Sequence, residues 1–268
     1  MSEFVFTANQ ESSAAYFNTL NEYMENNVLR PDKGFICKYG EKCEASCRAD
    51  NREFYPGQLS HVGPLYDLKR DGKPFRVIIS GAEYGYPEKP HSLEDRTEVV
   101  NNCVPDNPHM RGTLCLLQVL FGEEPDNGAL DMTINGKSEK VFHAFSLSNY
   151  LLCSGIQGGS PTMAFTGHMT KYCRDHYQKT LEILQPQMVI LEGGRAWEFF
   201  WERYDISLNH RNPAVETIEV GENPILVLPL YHPSYRGKFW GAAGSKALRE
   251  YVKPAVDELL TKYEKIHG

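Results

Sequence analysis

The sequence predicts an α/β protein, a three-layer α/β/α sandwich around a short, mainly parallel four-stranded sheet. Strand-like and helix-like segments alternate along the chain, and most strand-like runs are continuously apolar. A strand buried on both faces reads that way, and parallel sheets covered by helices are where such strands occur. Four apolar runs also end in polar, mostly glycine-containing segments: "SGAEYGYPE", "SLSNYLLC", "LEGGRA" and "LYHPSYRG". Open α/β sheets assemble their sites at the carboxyl ends of strands.

The elements follow in chain order. Residues 12–28 predict an amphipathic helix capped by Ser12 or Ser13, with Tyr16, Phe17, Leu20, Met24 and Val28 at helical spacing. Residues 31–66 are loop-rich and hold three cysteines. "FRVIISG" (75–81) is a buried strand that breaks at Gly81, and "MRGTLCLLQVLFG" (110–122) is a helix ending near Gly122. Residues 123–140 carry Asn-Gly pairs at 127–128 and 135–136, the composition of an excursion or hairpin. "VFHAFSLSNYLLC" (141–153) is a second buried strand running into a loop. From Met169 to Leu184, Cys173, Tyr177, Leu181 and Leu184 share a helical face. A third strand (187–194) precedes a short helix with Trp197, Phe200 and Trp201. The fourth strand, "PILVLPL" (224–230), leads to "YHPSYRG". A final helix, 245–263, aligns Leu248, Val252, Val256, Leu259 and Tyr263.

At 268 residues, with no repeat and no convincing linker, the chain is expected to be one domain. Its N-terminal helix and cysteine-rich loop fall within residues 1–66. No apolar run approaches the ~20 residues that span a bilayer. Glu3 and Glu11 stand where a secretory signal would be cationic and then apolar. An intracellular location, cytoplasmic or with the nucleoid or nucleus, and a monomeric state are the expectations. The net charge of −7 argues against wholesale coating of nucleic acid but leaves room for a local basic groove. Seven cysteines, an odd number, suit free thiols, a metal site or a catalytic thiol better than disulfides.

From roughly Val77 to the C-terminus, the order of strand ends resembles the uracil-DNA glycosylase superfamily, particularly its iron–sulfur branch. "GAEYG" (81–85) stands where the family has a glycine-bounded loop supplying the water-activating group. "SNYLLC" (148–153) is similar to the segment whose asparagine reads the base and whose cysteine binds a cluster. Residues 172–196 resemble the cysteine-bearing helix, strand and turn that follow, and "LPLYHPSYRG" (228–237) matches the His-Pro-Ser motif closely. Two departures stand out. The iron–sulfur branch usually has Gly-Glu-Ala-Pro-Gly first, so the carboxylate here is moved one place. The aromatic that stacks on the base is replaced around "PHMRG" (108–112), leaving His109 or Met110.

The resemblance implies a DNA glycosylase that hydrolyses the N-glycosidic bond of uracil or another deaminated base. Such an enzyme turns the nucleotide out of the stack, steadies the departing base anion and delivers water to a sugar cation. It implies Glu83 as the group guiding water, with Glu88 as the fallback, and His232 as the donor to the base anion. Asn149, with both an acceptor and donors, would read the base edge; Gly81, Tyr84 and His109 or Met110 would line the same pocket. Ser234, Tyr235 and Arg236 would hold DNA, single- or double-stranded. Each residue also has a structural reading: Glu83 as a solvated acid, His232 as a strand cap, Asn149 as a turn former. The rival functions are an enzyme of different specificity on this scaffold and a nucleic-acid-binding module without catalysis.

Cys37, Cys43 and Cys47 lie in "CKYGEKCEASC", with Cys153 and Cys173 later. The resemblance implies that four of these five hold a 4Fe–4S cluster. Zinc is the alternative, since tetrahedral thiolate sites take similar ligands; buried free thiols are the structural one. A cluster would be a clamp, because hydrolysis needs no electrons. Cys103 and Cys115 are left over.

Overall fold

The computed structural model describes residues 4–82, 89–157, 163–193 and 196–267. Six strands form the central sheet: β1 (His61–Val62), β2 (Val77–Gly81), β3 (Ser146–Asn149), β4 (Met188–Glu192), β5 (Glu216–Val220) and β6 (Asn223–Leu230). Their spatial order is β5-β6-β4-β2-β3-β1. The four central strands β6, β4, β2 and β3 are parallel, and the edges β5 and β1 pair antiparallel to them. The sheet is thus mixed and six strands wide, where four were expected. Both extra strands evade a search for apolar runs. The first is two residues long, and "ETIEV" alternates because an edge strand keeps one face toward solvent.

Among the described residues seven helices accompany it: α1 (Gln10–Asn27), α2 (Gly40–Ala49), α3 (Leu93–Asn101), α4 (Pro108–Leu120), α5 (Gly167–Leu184), α6 (Ala196–Tyr204) and α7 (Lys253–His267). Alternate strand residues enter two cores. Val77, Ile79, Ile190, Leu226 and Leu228 pack with Leu114 and Leu117 of α4 and Val256 and Leu259 of α7. Ile78, Val189, Leu191, Ile225 and Val227 pack with Leu20 of α1, Leu181 of α5 and Phe199 and Phe200 of α6. Burying both faces removes the alternation from the sequence. Each fully buried aliphatic side chain contributes about 1.5–3 kcal/mol.

Some boundaries move. Asn9 rather than Ser12 or Ser13 caps α1, its side chain accepting from the Ser12 amide. The cysteine-rich segment is not all loop: Cys43 and Cys47 sit on the buried face of α2, one turn apart. Residues 141–143 form a 3₁₀ turn before β3, and a π turn, Leu248–Val252, precedes α7. The expected hairpin pairs Asp131–Ile134 with Lys137–Lys140 across Asn135-Gly136, both at positive φ. Among the described residues no helix is long and apolar enough to cross a membrane.

The edge strand β1 carries an acid-sensitive group. His61 is fully buried, its Nε2–H donating to the Phe142 carbonyl at 3.0 Å. Burial, partly opposed by that bond, holds its pKa down at about 3. The unfolded chain takes up a proton near pH 6.5 that the folded chain refuses, so stability falls as pH drops from about 6.5 toward 3. The expected slope is about 1.4 kcal/mol per pH unit for this group. Urea unfolding between pH 7 and pH 4 measures it, and a His61→Gln chain should show the shallower profile. Equal slopes in the two chains would contradict the assignment.

Candidate active site

The parallel strands end in step. Asn149 of β3 pairs with Gly81 of β2, Leu191 of β4 with Ser80, and Glu192 of β4 with Leu230 of β6. Asn149, Gly81, Glu192 and Leu230 therefore form one row across the carboxyl edge. By the two-residue alternation, the row faces the side of the sheet on which α4 packs. Asn149 is 7% exposed, and its Oδ1 lies 3.2 Å from where a Cβ on Gly81 would stand. The amide leans over a residue without a side chain. Between Asn149 and Glu192, two strand spacings or about 10 Å apart along the row, no side chain rises from the backbone.

At the tip of β6 stands His232. Its Nδ1 accepts the Ser234 backbone N–H at 3.3 Å and lies 2.7 Å from the Ser234 hydroxyl. An accepting Nδ1 leaves Nε2 to carry the proton in the neutral ring. Burial lowers the pKa of His232, the neighbouring His109 lowers it further, and Glu192 opposes both. The side chain is therefore a neutral N–H donor at pH 7.

His109 comes to this place through α4. The Asn107 side chain accepts the Met110 amide at 2.9 Å, and Pro108 occupies the first helical turn, where its missing N–H is not needed. A Cβ on Gly112 would stand 2.5 Å from Pro233 Cβ, and one on Gly241 2.4 Å from the Pro108 carbonyl oxygen. Two bare backbones thus let the helix start press against the His-Pro-Ser loop. The His109 and His232 rings stack, 5.0 Å between centroids and 15° between planes. Met110, the other candidate at this position, is 7% exposed and packs in the α4 layer.

Glu192 completes the cluster, and sequence reasoning missed it. It is 1% exposed, with Oε2 2.8 Å from His109 Nε2, a contact that is short but not aligned as a hydrogen bond. The Thr113 hydroxyl lies 3.3 Å from the same oxygen. A buried carboxyl group needs polar partners beside it, and α4 supplies the His109 ring and the Thr113 hydroxyl. The only signal in the sequence was one acid ending an otherwise apolar strand.

Glu83 and Tyr84, like Glu88, lie outside the described residues. Ser234, Tyr235 and Arg236 are exposed, Tyr235 stacking on Tyr231 at 4.6 Å. The structure thus joins His232 with His109 and Ser234 at one tip, and Asn149 with Gly81 at another. The β3 and β6 tips are three strand spacings apart, about 14 Å between backbones.

The cysteines form a second cluster, in the core that holds α1 and α5. Burial pushes the Cys173 thiol up to about 12, with further upward pushes from Cys43 and Cys37. Cys153 is raised by burial and then by Cys173, Cys43 and Cys37. Cys37, Cys43, Cys153 and Cys173 are therefore near enough to repel one another as thiolates. Cys47 also raises Cys43, and it directs its thiol to Met169 Sδ at 3.6 Å. His176, which the sequence did not single out, places Nε2 3.7 Å from Cys37 Sγ and receives Tyr23 at Nδ1. Among the described residues no three His, Cys, Asp or Glu side chains are set to hold one ion.

A family model describing the Uracil DNA glycosylase superfamily matches residues 135–256. The span takes in Asn149, Cys153, Cys173, Glu192 and His232, and leaves out Gly81, His109 and the N-terminal cysteines. No curated protein matches the chain.

Proposed function

We propose that the chain is a DNA glycosylase of the uracil-DNA glycosylase superfamily, acting on uracil or another deaminated base. The observation that carries this reading is the state of His232, a neutral Nε2–H donor held by its own Ser234 amide at a strand tip within the matched residues. Breaking the bond between C1′ and the base nitrogen sends the electron pair onto the base, where a carbonyl oxygen takes much of the charge. A fixed donor at that oxygen stabilises the anion as it forms. Asn149 faces the same edge with an amide suited to an imide edge. Water adds to C1′ and gives its proton to a carboxylate, the role assigned to Glu83 or Glu88. Glu192 balances the polar pair on α4 and keeps the His109 ring beside His232.

Cys37, Cys43, Cys153 and Cys173 supply four thiols for a 4Fe–4S cluster, the cofactor of the branch this chain resembles. Buried thiols with raised pKa become thiolates only beside a strong positive charge, which iron supplies. A single zinc ion, with Zn–S bonds of about 2.3 Å, would draw its sulfurs to within about 4 Å of one another. Zinc is the alternative for the same thiols. When bound, the cluster ties α2, α5 and the loop after β3 together and takes no part in the hydrolysis.

Alkali treatment of uracil-, hypoxanthine- and xanthine-containing oligonucleotides after incubation with the protein tests the reading. Strand breaks at one of the three bases are expected. Tight binding with all strands intact would instead mark a binding module on this fold.

A further inference from the structure

A second cleft adjoins His232. It has a volume of about 240 Å³ and is lined by Gly193, His210, Arg211, Tyr231, His232 and Tyr235. Its wall is a run of rings. Trp197 lies 4.1 Å from His210, His210 meets Tyr231 edge-on at 4.1 Å, and Tyr231 stacks on Tyr235 at 4.6 Å and 3°. The Tyr251 hydroxyl fixes this wall, accepting the Tyr231 amide at 2.9 Å and donating to the His210 carbonyl at 2.7 Å.

His210 Nδ1 in the lining and Trp197 Nε1 in the ring behind it are buried and lack hydrogen-bond partners among the described residues. A buried polar atom without a partner is destabilising, so the wall is complete only when something polar meets it. The cleft's charged lining residue is basic. Arg211 is exposed, Lys238 Nζ lies 5.9 Å from the Tyr231 ring, and Arg236 follows Tyr235 in the chain. A planar ligand with a hydrogen-bonding edge, carried on a negatively charged chain, answers all three features. The cleft is smaller than the ~300 Å³ lower bound for sites of drug-sized ligands, which suits one base and not a whole nucleotide.

We propose that this cleft holds the base of the nucleotide next to the one being excised, so that the preferred substrate is single-stranded DNA. The inference rests on the glycosylase reading, because it takes His232 as the centre beside which the neighbouring base lies. In a duplex that neighbour is paired and stacked, and seating it would require opening a second pair. In a single strand it only has to exchange one stacking partner for another.

The test uses single-stranded uracil oligonucleotides in which the 5′ or the 3′ neighbour is either a normal base or an abasic spacer. Base–aromatic stacking predicts that a spacer on one side raises KM roughly 5- to 100-fold for the unaltered protein. In His210→Ala and in Tyr235→Ala that dependence should collapse. Tyr235, 49% exposed, provides the variant in which misfolding is not at issue. A spacer without effect on either side would overturn the proposal, as would variants that keep the full dependence or a duplex preferred over the single strand. If no oligonucleotide loses a base, the glycosylase reading fails separately. The same flank dependence, read as fluorescence anisotropy, still tests the cleft.

Discussion

Replacing His232 with alanine is expected to slow base release about 10²- to 10³-fold, the usual effect of removing one preorganised donor to a developing anion. The donor exists because of three local features. Leu230 ends a strand buried on both sides, the Ser234 amide meets Nδ1, and the stacked His109 ring disfavours protonation of His232. Since burial and His109 lower the pKa of His232, the ring is neutral above about pH 6.5 and becomes cationic only on acidification below that. The loss in His232→Ala should therefore be constant between pH 6.5 and 8. His232→Gln, which keeps an N–H near the same place, should recover part of the rate. Single-turnover release from a uracil oligonucleotide measures both. A loss of less than threefold would reduce His232 to the cap of a strand.

How much of this was legible in the sequence follows from which physical signals are local. The parallel centre of the sheet was readable because burial on both faces writes an uninterrupted apolar run, as in "QMVILEGG". The edges were not, since β1 is too short for any period and β5 alternates with polar residues. Pro233 and the polar groups after it marked the tip of β6. The approach of α4 depends on Gly112 and Gly241, whose meaning is visible only when Pro233 and Pro108 are found against them. Glu192 is the sharpest omission. An acid at a strand end reads as a solvated turn until its partners, His109 and Thr113, arrive from a helix about 80 positions earlier. Spacing alone left open which four of the five cysteines would be ligands, because α2 was not legible in the loop-rich segment. Residues one helical turn apart share a face, yet Cys43 raises both Cys153 and Cys173, while Cys47 raises Cys43 and directs its thiol to Met169.

That last distinction sets the second large expected effect. Cys37→Ser, Cys43→Ser, Cys153→Ser and Cys173→Ser should each yield colourless, iron-poor protein from anaerobic preparations, whereas Cys47→Ser should remain brown and iron-loaded. A ligand thiol lost from a buried cluster removes the cation that makes its neighbours thiolates. The remaining three then revert to buried thiols that tie nothing together. The two cores on either side of the sheet persist, so the chain should still fold, but with a loss on the order of 4 kcal/mol. At about 2–4 °C per kcal/mol for a chain of this size, the melting temperature drops by roughly 10 °C. Cys115→Ser separates this from the general effect of altering a buried thiol, because Cys115 packs in the α4 core and accepts from the Asn127 side chain. It should retain iron and colour. Bound zinc without visible absorbance in the unaltered chain would replace the cluster with a mononuclear site. Full thermal stability in Cys173→Ser would show that these thiols are ordinary members of an apolar core, and the clamp between α2 and α5 would then be packing alone.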